Sequence, residues 1–210
     1  MARAAGAGAP LKYLALGDSY TIGESVPEAG RWPVQLVAAL RERGVAIDEP
    51  RIIATTGWTT DELAAAMDAA EPLGRWDVVS LLIGVNNQYR GRDVADYRGE
   101  FTALLQRAIT LAGGRADHVL VLSIPDWGVT PFGQASGRDP ARIAAELDAY
   151  NAAAASICEA HGVPFVDITP ASRAPTAGIA EDGLHPSAPQ YTTWTHLTLE
   201  KTYQVCFLSR

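Results

Sequence analysis

Tyr13-Leu14-Ala15-Leu16-Gly17-Asp18-Ser19-Tyr20 is a short apolar run broken by a glycine, a carboxylate and a serine. Near-continuous apolar character over four residues is the pattern of a strand buried on both faces, and Gly17 allows a sharp exit from it. Four more runs of this kind follow, at residues 52–54, 78–83, 119–123 and 165–168. Longer helical patterns lie between them, at residues 32–43, 60–70, 94–112 and 140–161. These helices carry their own start and stop signals. Thr59 stands three residues before Glu62, the spacing of a capping box. Val94, Tyr97, Phe101, Leu104, Leu105, Ala108 and Ile109 share one helical face ahead of Gly113-Gly114. Asp139 and Pro140 open the last pattern and Gly162 closes it. Alternation of strand and helix predicts a parallel sheet with helices on both faces. Right-handed crossovers then close the chain as a three-layer α/β/α sandwich, flavodoxin-like, with a central, mostly parallel five-stranded sheet.

A chain of 210 residues fits one domain, here residues 11–210 behind a frayed end at residues 1–10. With 48% hydrophobic and 20% charged residues, wholesale disorder is excluded. The net charge of −7 argues against a nucleic-acid partner, which needs clustered positive charge. Only Lys12 and Lys201 are lysines, which disfavours Schiff-base and Walker-type chemistry. Cys158 and Cys206 form no C-x-x-C pair, and Cys158 reads as a buried thiol within an apolar helix. No run approaches the 18 or so apolar residues of a membrane span, and the first ten residues lack the apolar core of a leader, so a cytoplasmic location is expected. Two irregular stretches, residues 125–138 and 169–189, each follow a strand and so lie at the carboxyl edge of the sheet, where open α/β folds place their sites.

Ser19 stands at that edge, after the first strand. A serine hydroxyl is a poor nucleophile and needs an adjacent base. Asp182-Gly183-Leu184-His185-Pro186 offers one: imidazole is the usual base near neutrality, and a carboxylate three residues earlier can fix its tautomer. An acyl-transfer site also needs donors for an oxyanion. Gly57, after the second strand, can present a backbone N–H, and Asn86, after the third, a side-chain N–H. Taken singly, Ser19 would serve equally well as a turn cap, D-x-x-H as a helix start, and Gly57 and Asn86 as turn residues. His118, His161 and His196 have no zinc spacing and no calcium loop is present, so neither a metal nor a cofactor is expected.

The four blocks Gly17-Asp18-Ser19, Gly57, Gly84-Val85-Asn86 and Asp182-Gly183-Leu184-His185 resemble, in order and spacing, the GDSL/SGNH hydrolase family, over residues 12–194. The resemblance implies Ser19 as nucleophile, His185 as base and Asp182 as its orienting partner. It further implies an oxyanion hole made by the N–H groups of Ser19 and Gly57 and the side-chain amide of Asn86. Three departures stand out. Asn87 takes the place of an Asp that commonly ends the third block, and Tyr20 replaces a Leu. Residues 192–210 are Thr-rich and lack a clean amphipathic pattern; Tyr191, Trp194 and Leu197 recur at helical spacing, so a helix is expected to begin there and fail.

The expected activity is hydrolysis of carboxylic esters or thioesters of small or soluble acyl substrates through a Ser19 acyl-enzyme. Trp127 and Phe132, in the loop that follows the fourth strand, are the candidates for one wall of an acyl pocket. A carbohydrate O-acetylesterase and a lysophospholipase-like enzyme of the same fold are the alternatives, and a non-catalytic flavodoxin-like binding module is a remote one. The expected partner is a small-molecule ester, with no nucleic acid and no membrane span, and the chain is expected to act as monomer or homodimer.

Overall fold

The computed structural model describes residues 9–208; the frayed end expected at residues 1–10 lies outside that range except for residues 9 and 10. In chain order the elements are β1 (Tyr13–Gly17), α1 (Ser19–Ile22), α2 (Trp32–Glu42), β2 (Arg51–Ala54), α3 (Thr60–Ala69), β3 (Val78–Leu82) and α4 (Val85–Tyr89). Then come α5 (Val94–Leu111), β4 (Val119–Leu122), α6 (Pro131–Ala135), α7 (Pro140–His161), β5 (Phe165–Val166), α8 (Thr169–Ser172) and α9 (Ala188–Leu208). The sheet runs β2-β1-β3-β4-β5 and every pairing is parallel, the flavodoxin-like order. All residues of β1 and β3 are buried, as central strands covered on both faces must be. Ser80, the polar residue of β3, meets the Tyr13 hydroxyl at 2.8 Å. On the helical layers, α2 packs on α9 while α5 packs against both α3 and α7.

The start signals act as expected. Thr59 and Glu62 form the capping box of α3, Asp139 accepts from the Ala141 N–H at the start of α7, and Gly162 ends that helix in a left-handed conformation. Cys158 is a buried free thiol whose pKa burial pushes up to about 12. Among the described residues no helix is long and apolar enough to cross a membrane.

The C-terminal segment corrects the expectation. Residues 188–208 form one continuous helix, α9. Its buried face is Tyr191, Trp194, Thr195, Thr198, Leu199, Thr202 and Cys206, whereas Leu197 points to solvent. Thr198 and Thr202 hide their hydroxyls by donating to the carbonyls of Trp194 and Thr198, four residues back. A threonine satisfied in this way is packed by its methyl group, so the face is apolar although its sequence reads as polar. Thr192 also donates to Gln35 Oε1 at 2.6 Å and so ties α9 to α2.

Candidate active site

β1, β2 and β3 end level with one another: Gly17 lies opposite Ala54 on one side and Leu82 on the other. Ser19, Gly57 and Asn86 follow those three residues closely, which is why separated sequence blocks converge on one sheet edge. Gly17 permits close packing at the exit from β1 without a left-handed backbone. A Cβ there would lie 2.2 Å from Thr21 Oγ1 and 2.5 Å from the Leu82 carbonyl oxygen, so glycine is needed for close approach of β1, α1 and β3.

Asp18 caps α1: its Oδ1 accepts from the Tyr20 N–H at 3.0 Å, and Ser19 begins the helix. Asp18 is completely buried and Oδ2 has no donor among the described residues. Burial therefore raises its pKa to about 7, against the opposing bond from Tyr20. A carboxyl raised on folding binds its proton more tightly folded than unfolded. Its contribution is fully present below about pH 4 and is lost as pH rises through about 7, with an upper limit on the order of 4 kcal/mol. Asp18→Asn, which cannot ionise, should gain stability relative to wild type between pH 5 and pH 8. Thermal melts of both proteins across that range check this; a pH-independent difference would contradict it.

The other half of the site is the loop from Ile179 to Pro186, closed by an antiparallel bridge between those two residues. Asp182 Oδ1 accepts from the N–H groups of Leu184 and His185, both at 2.9 Å. Oδ2 accepts from His185 Nδ1 at 2.6 Å and from Ser25 Oγ at 2.6 Å. A carboxylate can only accept, so Nδ1 carries the imidazole proton and Nε2 is left as the basic nitrogen. Partial burial pushes the Asp182 carboxyl up, but the bonds from Ser25, His185 and the two backbone groups outweigh it and hold it well below the usual carboxylate range. His185 itself is buried, with the Tyr20 ring meeting it edge-on at 5.6 Å.

Ser19, Gly57, Asn86, Trp127, Phe132 and His185 all line one cavity of about 210 Å³, and Asp182 stands behind His185, outside the cavity wall. Gly57 has a φ of 88°, a left-handed conformation suited to glycine, and its carbonyl accepts from Arg90 Nη2 at 2.6 Å. Asn86 Nδ2 donates to the Trp58 carbonyl at 2.8 Å. That bond uses one amide proton and fixes the plane of the group, leaving the second proton for a ligand. Asn87 turns away from the cavity. Fully buried, it accepts the Thr60 N–H at 3.1 Å and donates to Thr60 Oγ1 at 2.6 Å, fastening α4 to the start of α3. Trp127 is buried, with Nε1 donating to Gln88 Oε1 at 2.8 Å, while Phe132 is 38% exposed at the rim.

Tyr20 and Leu184, which lie in the first and fourth motif blocks, line the same cavity, as does Tyr89, which the sequence does not single out. Tyr89 lies on α4, a five-residue helix too short to show periodicity, where it stacks edge-on against Trp127 at 5.3 Å. The remaining histidines lie elsewhere. His118 Nδ1 meets the Asp77 carbonyl at 2.7 Å, His161 Nδ1 meets the Ile157 carbonyl at 3.0 Å, and His196 is on the solvent face of α9.

The GDSL-like lipase/acylhydrolase family matches this chain over residues 15–192. The chain belongs to that family and is a serine ester hydrolase. Solved structures share its fold at low identity. TesA is 15% identical with a TM-score of 0.72, the match covering 92% of this chain and 99% of TesA. The psychrotrophic esterase EstA from Pseudoalteromonas sp. is 15% identical with a TM-score of 0.69, over 95% of this chain and 99% of EstA. Axe2, an acetylxylan esterase from Geobacillus stearothermophilus, is 19% identical with a TM-score of 0.66, over 93% of this chain and 95% of its own. No curated protein matches the sequence.

Proposed function

We propose that Ser19 attacks the ester carbonyl as His185 Nε2 takes its proton, with Asp182 holding the Nδ1–H and stabilising the imidazolium. The Asn86 amide and the N–H groups of Ser19 and Gly57 receive the negative charge that develops on the carbonyl oxygen. His185 then protonates the leaving alcohol or thiol, and water repeats the sequence to free the acid and Ser19. The observation that carries this proposal is the meeting of Ser19, the Asp182-oriented His185, Gly57 and Asn86 around one cavity.

The size and walls of that cavity support short acyl groups. At about 210 Å³ it lies below the roughly 300–1,000 Å³ of drug-sized ligand pockets. Trp127, Phe132, Tyr89 and Leu184 supply its apolar surface. Among p-nitrophenyl acetate, butyrate and octanoate, the first two should be the better substrates by kcat/KM. Trp127→Ala should shift the preference toward octanoate by about tenfold, as lost packing opens room for several methylenes. Fastest turnover of octanoate by wild type, or an unchanged ranking in the variant, would overturn the short-acyl proposal.

One observation favours a carbohydrate O-acetyl ester as the substrate class over a lysophospholipid. Beside the catalytic cavity, and sharing Tyr89 with it, runs a groove of about 730 Å³ whose walls include Gln88, Arg90, Arg138, Asp139, Arg142 and Glu146. Charged and hydrogen-bonding side chains around an aromatic ring suit a polyol. Acetate release from acetylated oligosaccharides is the corresponding assay.

A further inference from the structure

After α1 the chain turns through Gly23, Glu24 and Ser25, outside all four motif blocks. The N–H groups of Gly23 and Glu24 both donate to the Ser19 carbonyl at 3.0 Å, so the turn is fastened to the backbone of Ser19 itself. The Glu24 carboxylate accepts from Thr56 Oγ1, immediately before Gly57. Ser25 Oγ donates to Asp182 Oδ2 at 2.6 Å, across 157 residues of sequence. One turn thus touches the Ser19, Gly57 and Asp182 loops together.

Ser25 makes its contact at a conformational cost. With φ of 63° it is the one non-glycine residue with a left-handed φ among the described residues. A side chain with a Cβ rarely adopts that region, and such strain persists where surrounding structure over-determines it, often at functional sites. Glycine would sit there without strain. Serine sits there with its hydroxyl on the same carboxylate oxygen that receives the His185 proton.

We propose that Ser25 is a positioning residue: its hydroxyl fixes the Asp182 carboxylate, and through it the His185 imidazole, in register with Ser19. The proposal rests on the Ser19–His185–Asp182 assignment above. Two backbone N–H groups pin Asp182 Oδ1, but among the described residues Oδ2 has only Ser25 and His185. The Asp182 side chain is 30% exposed, so without Ser25 water competes for Oδ2 and the carboxylate is free to rock. Ser25 is also foremost among the bonds that depress the Asp182 carboxyl. Removing it returns negative charge to the face that His185 sees, which favours the imidazolium and moves the acid limb of the rate profile to higher pH. The other titratable groups nearby are Tyr20, edge-on to His185, Asp18 and Asp126, whose charges reach Tyr20, and Glu24 in the same turn as Ser25; all are common to all variants.

The test compares wild type, Ser25→Ala, Ser25→Gly and Ser19→Ala on p-nitrophenyl acetate across pH 5–9, with thermal melts. Ser25→Ala keeps the strain and loses the hydroxyl; Ser25→Gly loses both. In both Ser25 variants kcat should fall about tenfold with KM within about twofold, and the acid limb of kcat/KM should rise by about 0.5 pH unit. Ser25→Gly should melt at or above the wild-type temperature, which separates a lost catalytic contact from a lost fold. Wild-type kcat and an unmoved acid limb in Ser25→Gly, with Ser19→Ala inactive, would overturn the proposal alone. Wild-type activity in Ser19→Ala would overturn the nucleophile assignment, and the role of Ser25 with it.

Discussion

Ser19→Ala should hydrolyse p-nitrophenyl acetate or butyrate on the order of 10⁴–10⁶-fold more slowly than wild type while melting at an unchanged temperature. On the proposed mechanism the oxygen that forms the acyl bond is removed outright. Knocking out one member of such a constellation leaves only the catalysis supplied by the oxyanion donors and by binding, roughly 10³–10⁴ over water. The fold should not notice the change. Ser19 is the first residue of α1, the cap is made by the Asp18 carboxylate rather than by the serine, and alanine is the better helix former. The check is initial rates and melts measured on the same two preparations. A rate loss accompanied by a large drop in melting temperature would point to a structural role for the hydroxyl instead.

Asn86→Ala should cost about 10²–10³ in kcat with little change in KM, since the interaction it removes strengthens only as the carbonyl oxygen becomes an oxyanion. Two features of the site make the expected loss large. The amide plane is fixed in advance by the bond from Nδ2 to the Trp58 carbonyl, so no reorganisation accompanies the reaction. The group also lines a cavity walled by the tryptophan and phenylalanine rings, and beside such low-dielectric walls each donor counts for more than in bulk solvent. Asn86→Asp is nearly isosteric but places an acceptor and a charge where negative charge develops, and should lose at least as much. Unchanged kcat in Asn86→Ala would remove this residue from the oxyanion site.

The sheet was legible because buried parallel strands read as unbroken apolar runs, and because Thr59, Asp139 and Gly162 mark helix ends by chemistry that needs no tertiary context. The strand ends were less so: β5 is ladder-paired only at Phe165–Val166, although the apolar run extends to Ile168. Helix α9 was misread because its buried threonines satisfy their hydroxyls within their own helix, which no polarity pattern reveals. The residues around the cavity divide in the same way. Ser19, Gly57, Asn86 and His185 sit at strand ends or in a tight carboxylate–imidazole loop, and their spacing survives in the sequence. Tyr89 does not show, because it belongs to a single helical turn between longer elements. Ser25 does not either, since its partner is 157 residues away and its signature is a backbone angle. Asn87, where an Asp commonly ends the block, fastens the loop because an amide can accept the Thr60 N–H and donate to the Thr60 hydroxyl at once.

That Ser19 is the nucleophile is tested most directly by reacting the protein with a fluorophosphonate and mapping the adduct by mass spectrometry. One equivalent of label, carried on the tryptic peptide running from residue 13 to residue 31, at Ser19, and loss of ester hydrolysis in step with labelling, is the predicted result. Label on any other residue, or full ester hydrolysis by protein whose Ser19 is fully labelled, would contradict it.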